Sequence, residues 1–575
     1  MTAVHREVDC REPRVLLICP PFQSPKLGSI AVVRLAGHLR RHDVLCAEAY
    51  LNLDFCTIIG MDRYEIINDT KDGRGNGQTA ELLFAEGLHG EVDDPVLQTS
   101  IERLFGDRAA RRAVLDAFEA RVQSRIEAEA PTLIGITTSF NQLLAALWMT
   151  DVIKRTRPDI PVVIGGTACK MPMGKTIARA YPKVDCVVTG YGEGPLLRLA
   201  RGERPADRVF EVRTPPRLEQ HPVPEYRHFL RELAAFDPTL CPTLMFQSSK
   251  GCWWGERRHC TFCGLDAGVA AFHAQSSARA LDDIRTLWER HGLELMATDC
   301  IMARDHLRTL LPGLARFQER PKVFYEMKAN LSESDVIAMA CADVSGQLGI
   351  ESLSSRLLKL MKKGLTAIRA LAVLKWAREQ GVNVVWNQLC GVPGERVEDY
   401  DSQIELMARI PHLKPPHRVN PVVIDRYSPY FDDHRTFGWK RLRPIAQCRA
   451  AHPTLDGDTL KDIAYHFEGE GGVTTDAYLD RFEAAVSAWK ARYERGDGLF
   501  WHRFDGLIRI EDGVETALSV GDSARRVIEA THRIVPITRV IETAGCDASL
   551  VDEMIGHGLL YREKGNLINL TVRHS

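Results

Sequence analysis

The chain lacks net charge: 74 Lys and Arg stand against 76 Asp and Glu, a balance of −2 over 575 residues. No basic field advertises nucleic acid. A membrane span is also missing. The charge-free stretch Thr132–Thr150 carries Gly135, Thr137, Thr138, Ser139, Asn141 and Gln142 at its centre, and reads better as a buried strand running into a helix. The opening MTAVHREVDCREPRVLLICPPF puts charges where a secretion signal needs an apolar core. Disulfide spacing is absent too, since twelve of the fifteen cysteines scatter outside one short stretch. These absences favour a cytoplasmic protein with no membrane or nucleic-acid partner. A chain of this length has room for three or four domains with large cores.

What is present is Gly251–Gly264, GCWWGERRHCTFCG, with Cys252, Cys260 and Cys263 at Cys-x7-Cys-x2-Cys spacing. Thiolates this close in sequence, in a reducing compartment, hold metal rather than a disulfide. Three thiolates on a four-iron, four-sulfur (4Fe-4S) cluster would leave one iron open to a further ligand. A structural zinc with His259 as fourth ligand is the competing reading. It is weakened by the awkward chelation of adjacent His259 and Cys260, and by the lack of a second Cys-x2-Cys. A metal-free loop is the third.

Around this stretch, apolar strands alternate with helices. Residues 1–204 read as a doubly wound α/β domain with strands Arg14–Cys19, Asp43–Ala49, Thr132–Thr137, Pro161–Ile164 and Val184–Val188, interrupted by a helical insertion at about 52–130. Ligands of such sheets sit at the carboxyl ends of the strands. Those ends carry Pro20, Pro21 and Phe22; Thr137, Ser139 and Phe140; Gly165, Gly166 and Thr167; and Gly190, Gly192 and Glu193. Residues 205–242, rich in Pro and charge, read as a linker.

From 243 to 430 a second array suggests a partial (β/α)6 barrel of TIM type. Its strands are expected at Thr243–Gln247, Leu293–Ala297, Lys322–Met327, Gln347–Glu351, Asn383–Asn387 and Asn420–Ile424. The cysteine loop follows the first strand, so the metal would lie at the barrel mouth. Later strand ends repeat polar groups: Glu326, Lys328 and Asn330, then Glu351 and Ser352, then Asn387, then Asp425 and Arg426 with Tyr427 and Tyr430 of DRYSPYF. One such residue is usually a cap; several in succession point to a site. A helical connector, 431–506, leads to a small α+β module, 507–575, whose helices and closing hairpin suggest a winged helix.

GCWWG…CTFCG resembles the loop of cobalamin-binding radical S-adenosylmethionine (SAM) proteins that mature ribosomally made peptides, and GIESLSSRLLKLMKKGLT and GVPGE extend the likeness. The resemblance implies a C-methyltransferase using a 4Fe-4S cluster, SAM and methylcobalamin. A deoxyadenosyl radical would remove a hydrogen atom from an unactivated carbon of a precursor peptide, with flavodoxin or ferredoxin as electron donor. The cluster would be held by Cys252, Cys260 and Cys263. SAM would be held by Phe262, Gly264, Asp299, Glu326, Lys328, Asn330, Glu351, Ser352 and Asn387. Cobalamin would lie on the strand ends of the first domain, and Asp425, Arg426, Tyr427 and Tyr430 would meet substrate.

The chain departs from the family in three places. No Asp-x-His-x-x-Gly is present, which implies cobalamin without a His ligand. GGTACKMPMG replaces a more acidic loop, and Cys300 ends the TDN-like turn after Asp299. The resemblance implies that the terminal module holds a leader peptide; a structural cap serves equally. Radical rearrangement, crosslinking or epimerisation without methyl transfer is the second enzymatic reading. A cobalamin- or metal-binding regulator with a DNA-binding tail is the reading from another class.

Overall fold

The structure, a computed structural model, describes residues 14–68, 76–139, 141–214, 217–264, 271–471, 475, 477–502 and 506–574. Phe140, one of the residues expected at the cobalamin site, lies outside them. The chain divides into two compact units. One takes the sequence to Phe246 with Glu289–Leu293 and Arg443–Phe467; the other takes Gln247–Trp288, Glu294–Leu442 and Glu468 onward.

In the first unit six strands form one sheet: β1 (Arg14–Cys19), β2 (Leu45–Tyr50), β3 (Leu133–Thr138), β4 (Val162–Gly166), β5 (Cys186–Gly190) and β6 (Val209–Val212). Their order is β2-β1-β3-β4-β5-β6, with every pairing parallel. Val15–Cys19 and all of β3 are buried, as strands covered on both faces must be. The charge-free stretch resolves into β3 and the helix Leu143–Thr156, buried along ten of its fourteen residues. Among the described residues, five helices from Leu51 to Glu129 make up the insertion. Phe118 of the insertion stacks on Trp148 of that helix, centroids 5.6 Å apart. The expected linker 205–242 instead contributes β6 and the helix Arg227–Phe236. A four-residue strand between prolines leaves too short a pattern to be read locally.

The second unit holds a further set of short strands alternating with helices, and it begins just after the strand that closes the first segment of the first unit. After β7 (Leu244–Phe246), β8 (Ser249–Lys250) pairs antiparallel with β9 (His273–Ala274), closing the two ends of the cysteine loop together. Then come β10 (Leu295–Ala297), β11 (Val323–Lys328), β12 (Val344–Gly349), β13 (Val384–Val385), β14 (Asn387–Cys390) and β15 (Arg418–Pro421). β10 to β13 pair in sequence as a parallel sheet, and β14 pairs parallel with β15. Two strands sit earlier than expected. β12 ends before Glu351, leaving that residue and Ser352 on the following loop. β15 ends at Pro421, which cannot donate to a ladder, so the apolar run after it is not the strand.

The same unit contains the C-terminal module. Helices Asp522–Ala530, Ile537–Ala544 and Ala548–Gly556 accompany a three-stranded sheet of Val535–Pro536, Leu560–Glu563 and Asn566–Asn569, the last in the centre. Val527, Val540, Val551, Leu560 and Leu567 form its core. No helix among the described residues is long and apolar enough to cross a membrane.

Candidate functional site

Each unit gathers one group of the expected residues. In the first, the sheet order reverses between β1 and β3, and loops after strands flanking such a reversal splay apart to leave a crevice. Pro20 lies on one side, and its carbonyl accepts from Gln142 Nε2 at 2.8 Å. Ser139 lies on the other, donating to Gln142 Oε1 at 2.8 Å. Thr137 is buried in β3, and Gly165, Gly166, Thr167, Gly190 and Gly192 follow at the ends of β4 and β5. Gly166 and Gly190 are required by close backbone approach: a Cβ there would meet Thr138 O at 2.1 Å and Val212 O at 1.9 Å. Two side chains are engaged by the protein itself. Phe22 packs on Phe55 with centroids 5.5 Å apart, and Glu193 pairs with Arg34 at 3.1 Å. Pro21 is buried beside Phe22.

In the second unit the cysteine loop is strapped to the segment after Ser352. Thr261 N donates to Met361 O at 3.2 Å, and Trp254 Nε1 donates to Lys362 O at 3.2 Å. Trp254 packs so closely on Gly364 that a Cβ there would lie 2.2 Å from the indole. The two sequence blocks GCWWG and MKKG are thus halves of one contact. Cys252, Cys260 and Cys263 form no disulfide, and each is half-buried. The amide of Gly255 faces Cys252 Sγ at 3.4 Å.

Among the described residues no three His, Cys, Asp or Glu side chains gather tightly enough for a single ion. His259 Nε2 is bonded to the Cys263 carbonyl at 2.8 Å. The His259 ring is thus engaged by the loop's own backbone. Three thiols spread along one clamped loop fit a larger cluster better, since its irons, not one shared ion, take the ligands.

Two lysines flank these thiols. Lys328 Nζ lies 3.8 Å from the Trp254 ring centroid and donates to the Lys363 carbonyl. Burial, with Lys363 nearby, pulls Lys328 down to about 8. Lys363 Nζ reaches Glu351 Oε1 at 2.7 Å and lies 5.6 Å from the Phe262 ring centroid. Lys363 was not singled out from sequence, where it reads as one of two lysines after an amphipathic helix. Burial raises the Cys260 thiol, while Lys363 and Lys328 act against that rise.

The remaining expected SAM residues divide by environment. Burial, reinforced by Glu351 and Asp299, pushes Glu326 up to about 7. Ser352 is buried and donates to Gln403 Oε1 at 3.0 Å. Asp299 is buried and fully engaged, receiving Ser248 N at 2.8 Å and Ser248 Oγ at 2.6 Å, so SAM could reach it after that network opened. Gly264 is buried and Asn330 exposed. Asn387 Oδ1, in contrast, is buried without a partner, as are Gln388 Oε1 and Asn420 Oδ1. Strand alternation and the pairing of Leu389 with Asn420 put Asn387 and Asn420 on one face. Unpaired buried amide oxygens are costly, and a polar ligand would satisfy them. Asn420 was read as the start of a strand, and its place beside Asn387 follows from the earlier register of β15.

The four expected substrate residues are mostly packed. Tyr430 is buried against Phe437 and Trp439, and its amide donates to Thr261 O at 2.9 Å, tying this turn to the cysteine loop. Arg426 is buried with its guanidinium 5.0 Å from the Phe431 centroid. Asp425 accepts at its carbonyl from Ser428 Oγ at 2.7 Å, and Tyr427 adopts a φ of +70°.

Comparison with known proteins places these units. Residues 100–200 match the family model of the B12 binding domain. A curated relative, "Uncharacterized methyltransferase PH0819" of Pyrococcus horikoshii, is 22% identical over 303 residues, 49% of this chain. The match spans 64% of that relative's length. Among solved structures, the radical S-adenosylmethionine methyltransferase TsrM from Kitasatospora setae, with cobalamin and [4Fe-4S] cluster bound, superposes with a TM-score of 0.56. It is 14% identical, with 83% of this chain and 91% of that one covered. The cobalamin-dependent S-adenosylmethionine radical enzyme OxsB, with aqua-cobalamin and S-adenosylmethionine bound, superposes with a TM-score of 0.53 at 14% identity, covering 95% and 71%. The chain therefore carries a B12-binding domain and shares the fold of cobalamin-dependent radical SAM enzymes.

Proposed function

We propose that this chain is a cobalamin-dependent radical SAM enzyme that C-methylates an unactivated carbon of a ribosomally synthesised peptide. The observation that carries the reading is the cysteine loop. Three cysteines outside any disulfide lie on a loop closed by β8 and β9, beside two buried lysines, in a chain whose other unit matches a B12-binding domain. Bound together, a 4Fe-4S cluster, SAM and methylcobalamin supply hydrogen-atom abstraction and a transferable methyl group.

The chain's own residues bind and orient. Cys252, Cys260 and Cys263 hold the cluster. Lys363 and Lys328 offer positive charge to a carboxylate near the cluster, matching the amino-acid end of SAM. Glu326, Asn387 and Asn420 offer acceptors to hydroxyl or ammonium groups. The loops after β1, β3, β4 and β5 hold cobalamin without a histidine ligand. Asp425 and Tyr427, only partly buried, would meet substrate, and the C-terminal module takes the leader of the peptide by strand addition.

The test is anaerobic reconstitution with iron, sulfide, cobalamin and SAM, with mass analysis of a co-expressed precursor peptide. A gain of one methylene per event is the expected result. Crosslinked, rearranged or epimerised product without that gain would replace methylation with the second enzymatic reading. Cys252→Ala, Cys260→Ala or Cys263→Ala should each abolish SAM cleavage and most bound iron while leaving the fold intact, because large α/β cores do not depend on one metal. Iron and SAM cleavage retained in the triple variant would defeat the assignment.

A further inference from the structure

Resting on that reading, we propose that the face formed by Arg257, Arg304 and Trp253 is the docking surface for an acidic electron-transfer protein that reduces the cluster. A cavity of about 700 Å³ opens there, with Trp253, Arg257, Phe272, Arg304 and Thr309 in its wall. The wall begins one residue from a cluster ligand, since Trp253 follows Cys252 directly. The Trp253 indole is fixed, donating from Nε1 to Met302 O at 3.0 Å. Arg304 lies over it with Cζ 4.0 Å from the ring centroid, so this positive charge is held against an aromatic surface rather than swinging in solvent.

Charge identifies the partner. Arg257, Arg258, Arg304 and Arg308 are all exposed, and among the described residues none of the four forms an ion pair. Among the described residues of Gly251–Gly264 and Arg304–Arg308 the acids are Glu256 and Asp305, and Glu256 Oε1 already accepts from Phe272 N at 2.5 Å. A chain with a net charge of −2 thus presents a local positive face beside its cluster loop. Such a face raises the encounter rate of an acidic partner and orients it, at a cost in salt sensitivity. Electron transfer weakens steeply with distance, so a donor seated against Trp253 is well placed. The step moves one electron from donor to oxidised cluster. A flavodoxin hydroquinone becomes its semiquinone, and no bond forms or breaks.

The experiment compares 5′-deoxyadenosine formation by the full-length reconstituted enzyme, driven either by reduced flavodoxin or by dithionite, which needs no docking. Arg257→Glu with Arg304→Glu should raise the KM for flavodoxin by about tenfold or more and flatten its salt dependence. The dithionite-driven rate should stay unchanged, and the Arg257→Lys, Arg304→Lys pair should keep the parental KM. An unchanged flavodoxin KM overturns the proposal. So does an equal loss with both reductants, or a rise confined to the KM for the peptide. Absence of deoxyadenosine from the parental enzyme with dithionite would instead overturn the catalytic reading beneath it.

Discussion

Lys363 Nζ lies 2.7 Å from Glu351 Oε1, and the two side chains are only 10% and 15% exposed. Burial pulls Lys363 down, but Glu351 and the thiols of Cys260 and Cys263 outweigh it and hold the lysine above its ordinary pKa. A fixed cation therefore stands beside the cysteine loop throughout the physiological range. Glu351 meets it from a strained backbone, with φ at +65°.

Lys363→Met leaves Glu351 buried without its partner. Breaking an enclosed pair from one side costs about 3–5 kcal/mol, far more than a surface ion pair would. The urea midpoint of the variant should fall accordingly, and its affinity for SAM should drop with it. Lys363→Arg keeps the charge and should lose less of both. A midpoint unchanged in Lys363→Met would show that the pair contributes nothing to the fold.

Glu326 supplies a pH dependence. Its carboxyl, pushed up to about 7 by burial and then by Glu351 and Asp299, is neutral below that pH and ionised above it. The unfolded chain releases this proton near pH 4.3, so Glu326's contribution to stability falls as pH rises from there to about 7. An ionised carboxylate accepts more hydrogen bonds than a neutral one. SAM affinity, measured by equilibrium dialysis, should therefore rise as pH climbs through 7. Glu326→Gln should flatten that dependence. An identical profile in both proteins would remove Glu326 from the SAM site.

Gly190 tests the first unit. Its φ is +94°, and a Cβ there would lie 1.9 Å from Val212 O, so Gly190→Ala must displace backbone at the end of β5. A destabilisation of roughly 1–3 kcal/mol is expected. Cobalamin retained after desalting, read by absorbance, should fall together with it. Full cobalamin loading in this variant would place the cofactor away from the end of β5.

Lys375 tests how the C-terminal module is held. Its Nζ donates to Asn569 Oδ1 at 2.6 Å and to His532 O at 3.2 Å from within the helix Ala367–Glu379. Burial lowers its pKa, with Glu379 pulling the other way. The unfolded chain keeps this proton to about pH 10.4, while the folded chain releases it sooner, so stability should rise with pH across that interval. Lys375→Met should lose the slope in urea midpoints taken from neutral to alkaline pH. Parallel slopes in the two proteins would refute the buried, readily deprotonated lysine.

The strands of the first sheet were legible because a strand buried on both faces is apolar at every position. Arg14–Cys19 was read with its observed ends, and β3, β4 and β5 lie within two residues of expectation. β6 was not legible, having four residues between proline-rich flanks. Of the six strands expected from 243 to 430, two were shifted and the one expected at Asn383–Asn387 is split in two, since a period-two pattern fixes which face a residue takes and says little about where pairing stops.

By itself the sequence determined the spacing of Cys252, Cys260 and Cys263, the alternation of strands and helices, and the run of polar residues at the strand ends. All of these are properties of neighbours along the chain. Tertiary structure alone decided that Trp254 seats on Gly364, that Lys363 faces Glu351, that Asn387 and Asn420 share a face, and that Lys375 grips Asn569. The residues of the Trp254 and Lys375 contacts are separated by more than a hundred positions. What brings them together is close packing, in which each side chain is positioned by whatever fills the space beside it, and no local periodicity encodes that.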